Sequence, residues 1–333
     1  MIDREIVFIA DRVKTHNNAS FMSLDLEKLA DSYFETMMAS LKTIAPKVTH
    51  YTCPKDFLSN IAHHTQDLVI SLWSGERSRN RRALVPSICE AYSIPYVGAD
   101  PYIQTICADK HLTKALCQSF DIRVANDIIV SSLSDFSLLK GFHYPAVIKP
   151  NFEGGSIGIF DRNLVDSYEE AIRVCDDLLK HFPQLLVEEY IAGEEVSACI
   201  VGVQNHIDVF EVVRVSINGS TYFPHSIFGA ESKKIDGESS SRDIITSRFP
   251  ATEREKVISL YKSLGKVELL RIDGRLDRNT FTMIEITPDC SLSAAGNMYC
   301  ACHAAGYSHD GMMEILCQNT LKGPKLGYQN ANT

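Results

Sequence analysis

Strands alternate with helices through the first hundred residues, and this alternation constrains the fold more than any other feature of the chain. Residues 5–10 (EIVFIA) and 67–73 (DLVISLW) are short, almost continuously apolar runs, and residues 48–53 are rich in β-branched and aromatic side chains. Between them Leu26, Leu29, Phe34, Met37, Met38 and Leu41 recur at helical spacing over 26–44, and Pro54 opens a short helix. A further helix is expected at 83–92, followed by a short strand at 94–98. Buried strands joined by helices imply βαβ units and a parallel sheet.

The pattern then loosens. A helix is expected at 108–120, extended chain at 124–130, a strand at 144–150 and a Gly-bearing turn at 153–158. After a helix at 167–182 come strands at 185–190, 196–203 and 209–215. Residues 226–247 are polar and follow neither period, so they read as a lid or a disordered segment. A helix at 253–264, two strands at 269–276 and 282–287 and a helix at 310–321 complete the chain. The tail after Gly323 is expected to fray.

Composition narrows the class. In 333 residues, 45% are hydrophobic and 23% charged, enough for a sizeable core and incompatible with global disorder. The net charge of −9 argues against a nucleic-acid binder, whose footprint is a basic face. No apolar run approaches the roughly 18 residues of a membrane span. The N-terminus lacks the pattern of a signal peptide. Ten cysteines are too sparse for a disulfide framework, so they read as reduced thiols in a cytoplasmic protein.

Three clusters could carry chemistry. A strand ending in Lys149 runs into Glu153-Gly154-Gly155-Ser156-Ile157-Gly158, where small residues let backbone N–H groups approach phosphate oxygens beside an ammonium. A plain turn between strands is the alternative. Asp273 and Glu285 lie on two strands joined by a turn at 277–280, so both carboxylates can share a face. Beside a phosphate site such a pair is an oxygen cage for Mg²⁺; without one it is two solvated carboxylates. The run Val187-Glu188-Glu189-Tyr190-Ile191, with Glu194 and Glu195 after it, offers backbone groups to a flat heterocycle and a carboxylate to ribose hydroxyls. Its alternative is an ordinary acidic strand end.

Taken in order, Asp109-Lys110, Ile148-Lys149-Pro150, EGGSIG, VEEYIAGEE, the long polar loop, Arg271-Ile272-Asp273 and Glu285-Ile286-Thr287 resemble the ATP-grasp superfamily, and within it the D-alanine–D-alanine ligase type of carboxylate–amine ligase. The resemblance covers about residues 90–320 and takes in Pro95-Tyr96-Val97-Gly98 and HAAGYS at 303–308. It implies an α/β chain with α+β lobes: an N-terminal βαβ parallel-sheet lobe at 1–105, a central ATP-grasp lobe at 106–189, a C-terminal lobe at 190–323 and a tail at 324–333. Lys110 and Lys149 match the lysines on the ATP phosphates. Glu153, Gly154, Gly155 and Ser156 match the flexible loop that closes over them. Glu188, Glu189, Tyr190 and Ile191 match the adenine hinge, and Glu195 the ribose-binding acid. Asp273 and Glu285 match the ligands of Mg²⁺ (or Mn²⁺), and Arg271 matches the oxyanion-stabilising arginine. Lys233 or Lys234 falls in the place of the omega lid.

What the resemblance implies is an ADP-forming ligase. The carboxylate attacks the γ-phosphate, an amine displaces phosphate from the acylphosphate, and the lid and the 153–158 turn exclude water. Small-molecule substrates and a homodimer come with that analogy. An ATP-grasp kinase or carboxylase without an amine acceptor, or a non-catalytic nucleotide binder, are the other readings.

The departures lie elsewhere. Thr287 stands where the family has an Asn metal ligand, so either one Mg²⁺ is held more weakly or Asp289 substitutes. The family's Gly-Gly-x-Ser-x-Glu turn is replaced by Asp11-Arg12-Val13-Lys14-Thr15-His16, and its His-Gly segment by 73–82 (WSGERSRNRR). Gly155 and Gly296 replace serines. The expected product is therefore a specialised peptide, amide or cyclised amino acid from a biosynthetic pathway outside the cell wall. Arg77, Arg79, Arg81 and Arg82 form a basic cluster that is either a solvated helix start or an anion site. Cys300, Cys302 and His303 could suggest a metal site but lack a second pair at zinc-finger spacing, so the cysteines read as small packed thiols on a helix, and His16, His63 and His64 read as surface residues.

Overall fold

The computed structural model describes residues 1–17, 19–76, 78–227 and 240–323. The parallel sheet forms from the three expected runs. Ile6–Ile9 lies between Val48–Tyr51 and Leu68–Ser71, with Ile6 opposite both Val48 and Leu68. All four residues of the central strand are buried, as a continuously apolar parallel strand requires. The expected strand at 94–98 reduces to one parallel bridge, Tyr96 to Val69. Pro95 has no N–H to donate, and Gly98 turns the chain away at φ 105.

Two sheets follow, antiparallel except that Arg123–Val124 pairs parallel with Thr280–Thr287 at one edge of the larger. The smaller runs Asp127–Val130, Leu185–Glu189, Ala146–Pro150, Leu164–Val165, with the helix Tyr168–Leu178 packing Ala171, Cys175 and Leu178 into its core. The larger runs Ser240–Ile244, His206–Ile217, Gly193–Val203, Leu269–Asp277, Thr280–Thr287, Arg123–Val124, with Tyr222–Phe223 beside Gly193–Val203. A two-residue turn with Arg278 at φ 53 joins Asp277 to Thr280. One core holds Phe8, Met37 and Leu41 together with Val201, Val213, Met313 and Leu316. Each such side chain contributes about 1.5–3 kcal/mol of burial. That shared core sets the loops of the parallel sheet over the strand ends of the large one.

Four expectations are corrected. The helix expected from residue 26 begins at Asp31: Leu24–Leu26 is a 3₁₀ turn capped by Ser23, and Leu29–Ala30 pairs with Arg12–Val13. Leu26 and Leu29 fit helical spacing but serve a different local structure. A helix absent from the sequence reading, Pro101–Ala108, starts with Asp100 capping Ile103 and Pro101 in the first turn, and Asp109 caps Lys110–Gln118 directly after it. Within the polar stretch at 226–247, Ser240–Ile244 is an edge strand on His206–Ile217. Polar and charged residues suit an edge and hide it from periodicity. Residues 228–239, with Lys233 and Lys234, lie outside the described residues, as do Arg77 and the tail at 324–333. His64, expected at the surface, is buried and bonded to Asp67 and Tyr51, each at 2.8 Å.

Candidate active site

Lys110 occupies the first turn of Lys110–Gln118, and Lys114, four residues on, shares its face. Both are buried. Lys149 is the fourth residue of Ala146–Pro150, and across the antiparallel pairing the carboxylate of Glu188 meets it. Glu188 bridges Lys149 at 2.5 Å and Lys114 at 2.7 Å. Burial alone would raise the Glu188 pKa, but the two ammoniums outweigh it and hold the carboxyl at about 2. Burial, then the neighbouring Lys114 and Lys110, take the Lys149 pKa below its ordinary value against the pull of Glu188.

The side chain of Glu188 therefore faces the lysines. In the same run, the N–H groups of Glu189 and Tyr190 donate to the carbonyls of Asn126 and Pro145. Asn126 also donates to the Glu189 carboxylate at 2.9 Å, and the Tyr190 hydroxyl to Phe223 O at 2.6 Å. Ile191 follows directly. Glu195 is paired with Arg275 at 3.0 Å.

A cavity of about 350 Å³ brings Lys110, Glu153, Arg271, Glu285, Thr287 and Asp289 together. Lys110 contacts Glu285 at 3.1 Å and the carbonyl of Glu153. Burial would raise the Glu285 pKa, but Lys110 and Lys149 lower it, so it remains a carboxylate. Asp273 and Glu285 are opposed across the hairpin, as are Arg271 and Thr287. Arg271 donates through Nε to both oxygens of Asp273, at 2.8 and 3.0 Å, and Asp273 keeps it charged despite burial.

The same hairpin bears on the metal expected here. Thr287 lies two residues from Glu285, hence on its face, and its Oγ1 is buried with no hydrogen-bond partner among the described residues. A buried polar atom left unpaired is costly unless a ligand completes it. Two carboxylates and one free hydroxyl fit Mg²⁺, which takes few protein oxygens. Among the described residues no group of three or more His, Cys, Asp or Glu gathers. Asp289 is tied to Arg82 at 3.0 Å.

The acid that sequence reasoning missed is Glu27. A Cβ on Gly154 would come within 2.5 Å of Glu27 Oε1, and one on Gly155, at φ 58, within 3.0 Å of Glu27 Cγ. The two glycines make room for this side chain. Its carboxylate is held by Arg81 at 3.0 Å and Arg82 at 2.9 Å, while Arg81 also takes Glu153 at 3.0 Å. Arg79, Arg81 and Arg82 thus line the cavity, and of these three Arg79 is exposed, over the ring of Phe152. Only the order of residues 26–29 hinted at Glu27, and helical spacing concealed it. His16 also lines the cavity, bonded to the carbonyl of Lys28 at 2.8 Å, while His63 is exposed. Ser156, at φ 63, completes the turn. Cys300, Cys302 and His303 sit on the helix Asn297–Ala304, with Cys302 in the core.

A sequence model of the family described as D-ala D-ala ligase C-terminus matches residues 127–318. The chain belongs to that family. It is 23% identical over 255 residues to the D-alanine–D-alanine ligase of Fervidobacterium nodosum, covering 71% of this chain and 77% of that one. With the D-alanine–D-alanine ligase A of Bacillus cereus it shares 24% over 245 residues, 72% and 76% of the two chains. Among solved structures, the Bacillus anthracis D-alanine–D-alanine ligase complexed with ATP aligns with TM-score 0.70 at 18% identity, covering 96% of this chain and 97% of that one. The VanG D-Ala:D-Ser ligase of Enterococcus faecalis aligns with TM-score 0.68 at 18% identity, over 96% and 100%. The fold is the ATP-grasp fold with an N-terminal parallel sheet. As a member of the D-alanine–D-alanine ligase family the chain is an ATP-dependent, ADP-forming carboxylate–amine ligase. The kinase, carboxylase and binding-only readings are not retained. No helix among the described residues is long and apolar enough to cross a membrane.

Proposed function

We propose that this ligase joins two small substrates other than the D-alanine pair, in a biosynthetic pathway outside the cell wall. The observation that carries the reading is the Glu27–Arg81–Arg82 cluster. A carboxylate gripped by two guanidiniums has little left to offer a substrate ammonium, so this wall of the cavity favours a carboxylate substrate without a free amino group against it. Gly155 and Gly296, where the family resemblance leads one to expect serines, point the same way. The test is ADP release with mass spectrometry over a panel of carboxylates and amines. Products other than D-alanyl-D-alanine at higher rate support the proposal; D-alanine as the preferred substrate on both sides overturns it.

In the proposed chemistry Lys110 and Lys149 neutralise the nucleotide phosphates, and Glu153, Gly154, Gly155 and Ser156 close over them. Glu188, Glu189, Tyr190 and Ile191 receive adenine, with Ile191 the hinge residue whose N–H follows the two already paired, and Glu195 receives ribose once it leaves Arg275. The bound carboxylate attacks the γ-phosphorus, and Arg271 faces the oxygen that becomes negative when the amine attacks. Mg²⁺ on Asp273, Glu285 and Thr287 would supply charge neutralisation for the phosphoryl group. The lobes at 1–105, 106–189 and 190–323, Lys233 or Lys234 as lid cations, a cytoplasmic location and a homodimer belong to the same proposal. Ten unpaired cysteines are in keeping with a reducing compartment.

A neutral hydroxyl is a poorer oxygen donor than an amide carbonyl or a carboxylate. Thr287→Asn is therefore expected to lower the Mg²⁺ concentration for half-maximal ADP formation several-fold. Asp289→Asn, whose carboxylate serves Arg82, is expected to leave it unchanged. A Mg²⁺ titration of ADP release checks both; a requirement that rises in Asp289→Asn and ignores Thr287→Asn would assign the third ligand to Asp289.

A further inference from the structure

A directional chain of hydrogen bonds runs from the edge strand Ser240–Ile244 to the Arg271–Asp273 pair. Arg242 donates through Nε to Asn297 Oδ1 at 2.8 Å, and Asn297 Nδ2 donates to Ser197 Oγ at 2.8 Å. Ser197 Oγ donates to Asp273 Oδ1 at 2.6 Å, the oxygen that also accepts Arg271 Nε. Asn297 opens the helix Asn297–Ala304, and Ser197 is the cross-strand neighbour of Asp273.

The direction of every link is dictated by chemistry. A guanidinium can only donate, so the amide of Asn297 must turn its oxygen to Arg242 and its NH₂ to Ser197. The Ser197 hydroxyl, accepting from Asn297, sends its own proton to Asp273. Arg242 has no carboxylate partner among the described residues, so no acid competes for its Nε–H. Ser197 is buried, and burial strengthens such bonds.

We propose that Arg242, Asn297 and Ser197 are positioning residues that lock the Asp273 carboxylate through Oδ1, so that Oδ2, which shares Arg271 Nε at 3.0 Å, keeps its second lone pair for the metal. The inference rests on Asp273 as a metal ligand. Outer partners of this kind change metal affinity by about 10–100-fold when removed.

Asn297→Asp separates positioning from mere stability. The new carboxylate keeps and strengthens the bond to Arg242 but offers Ser197 an acceptor, so the serine proton turns away from Asp273. Melting temperature should stay at or above wild type. The Mg²⁺ concentration that half-saturates ADP affinity, read by calorimetry on the full chain with ADP and MgCl₂ as probes, should rise about tenfold. Ser197→Ala should give a similar rise, and the double variant no further one, because both cut the same link.

A wild-type Mg²⁺ dependence in Asn297→Asp overturns the relay, as do additive shifts in the double variant. So does a lowered melting temperature with ADP affinity reduced equally at all Mg²⁺ levels. ADP affinity of the wild type that ignores Mg²⁺ overturns the metal assignment of Asp273, and the relay's role with it.

Discussion

Arg271→Met is expected to slow product formation by about 10²–10³ while leaving ADP affinity within a few-fold of wild type. The guanidinium is buried and held through Nε by both oxygens of Asp273, and its remaining donors, which have no partner among the described residues, can face the cavity it lines. In the proposed sequence the acylphosphate forms by attack on phosphorus, where lysines carry the charge. The oxyanion appears only when the amine attacks the acyl carbon. A cation aimed there acts in that transition state and lowers kcat more than it affects ground-state binding. The variant is also expected to leak phosphate as the stranded acylphosphate hydrolyses. Calorimetry with ADP beside product formation checks this. Equal losses in both would make Arg271 a nucleotide-binding or structural residue.

The second large effect is on stability. Glu188→Gln leaves the buried ammoniums of Lys114 and Lys149 without their shared carboxylate, and removing one partner of a buried ion pair costs about 3–5 kcal/mol. The pH dependence has a definite sign. The folded pKa of Glu188 lies at about 2, below its ordinary 4.5, so the carboxylate's contribution is present above the ordinary value and lost as pH falls toward 2. Wild type should lose stability steeply between about pH 5 and 2, and Glu188→Gln should start lower and fall less over that range. Denaturant midpoints across pH check both. A Gln variant as stable as wild type at pH 7 would mean that the lysines find other partners or lose their protons.

Lys149 shows how far the sequence carries. Its place at a strand end before a Gly-rich turn was legible, because strand, lysine and turn are contiguous. Its burial and its bond to Glu188 were not, because they depend on the register between strands thirty-odd residues apart. The same holds for Asp273 and Glu285: a short turn makes their pairing readable, whereas the unpaired hydroxyl of Thr287 appears only once the surrounding partners are counted. Glu27 was hidden because Leu26 and Leu29 continue the apolar spacing of the next helix. Ser240–Ile244 was hidden because a polar edge strand draws its stability from the ladder on His206–Ile217 rather than from its own residues. The parallel sheet was the most legible part, since strands buried on both faces write themselves as unbroken apolar runs.

The most direct test of the central claim follows the oxygen of the activated carboxylate. The carboxylate that releases most ADP in the substrate panel is labelled with ¹⁸O and incubated with ATP and its amine partner, and the phosphate is analysed by mass spectrometry. Attack by that carboxylate on the γ-phosphorus, followed by amine attack on the acyl carbon, leaves one labelled oxygen on the phosphate. The account predicts one ¹⁸O per phosphate, with ADP and amide formed in equal amounts. Unlabelled phosphate, or AMP and pyrophosphate in place of ADP, would contradict it.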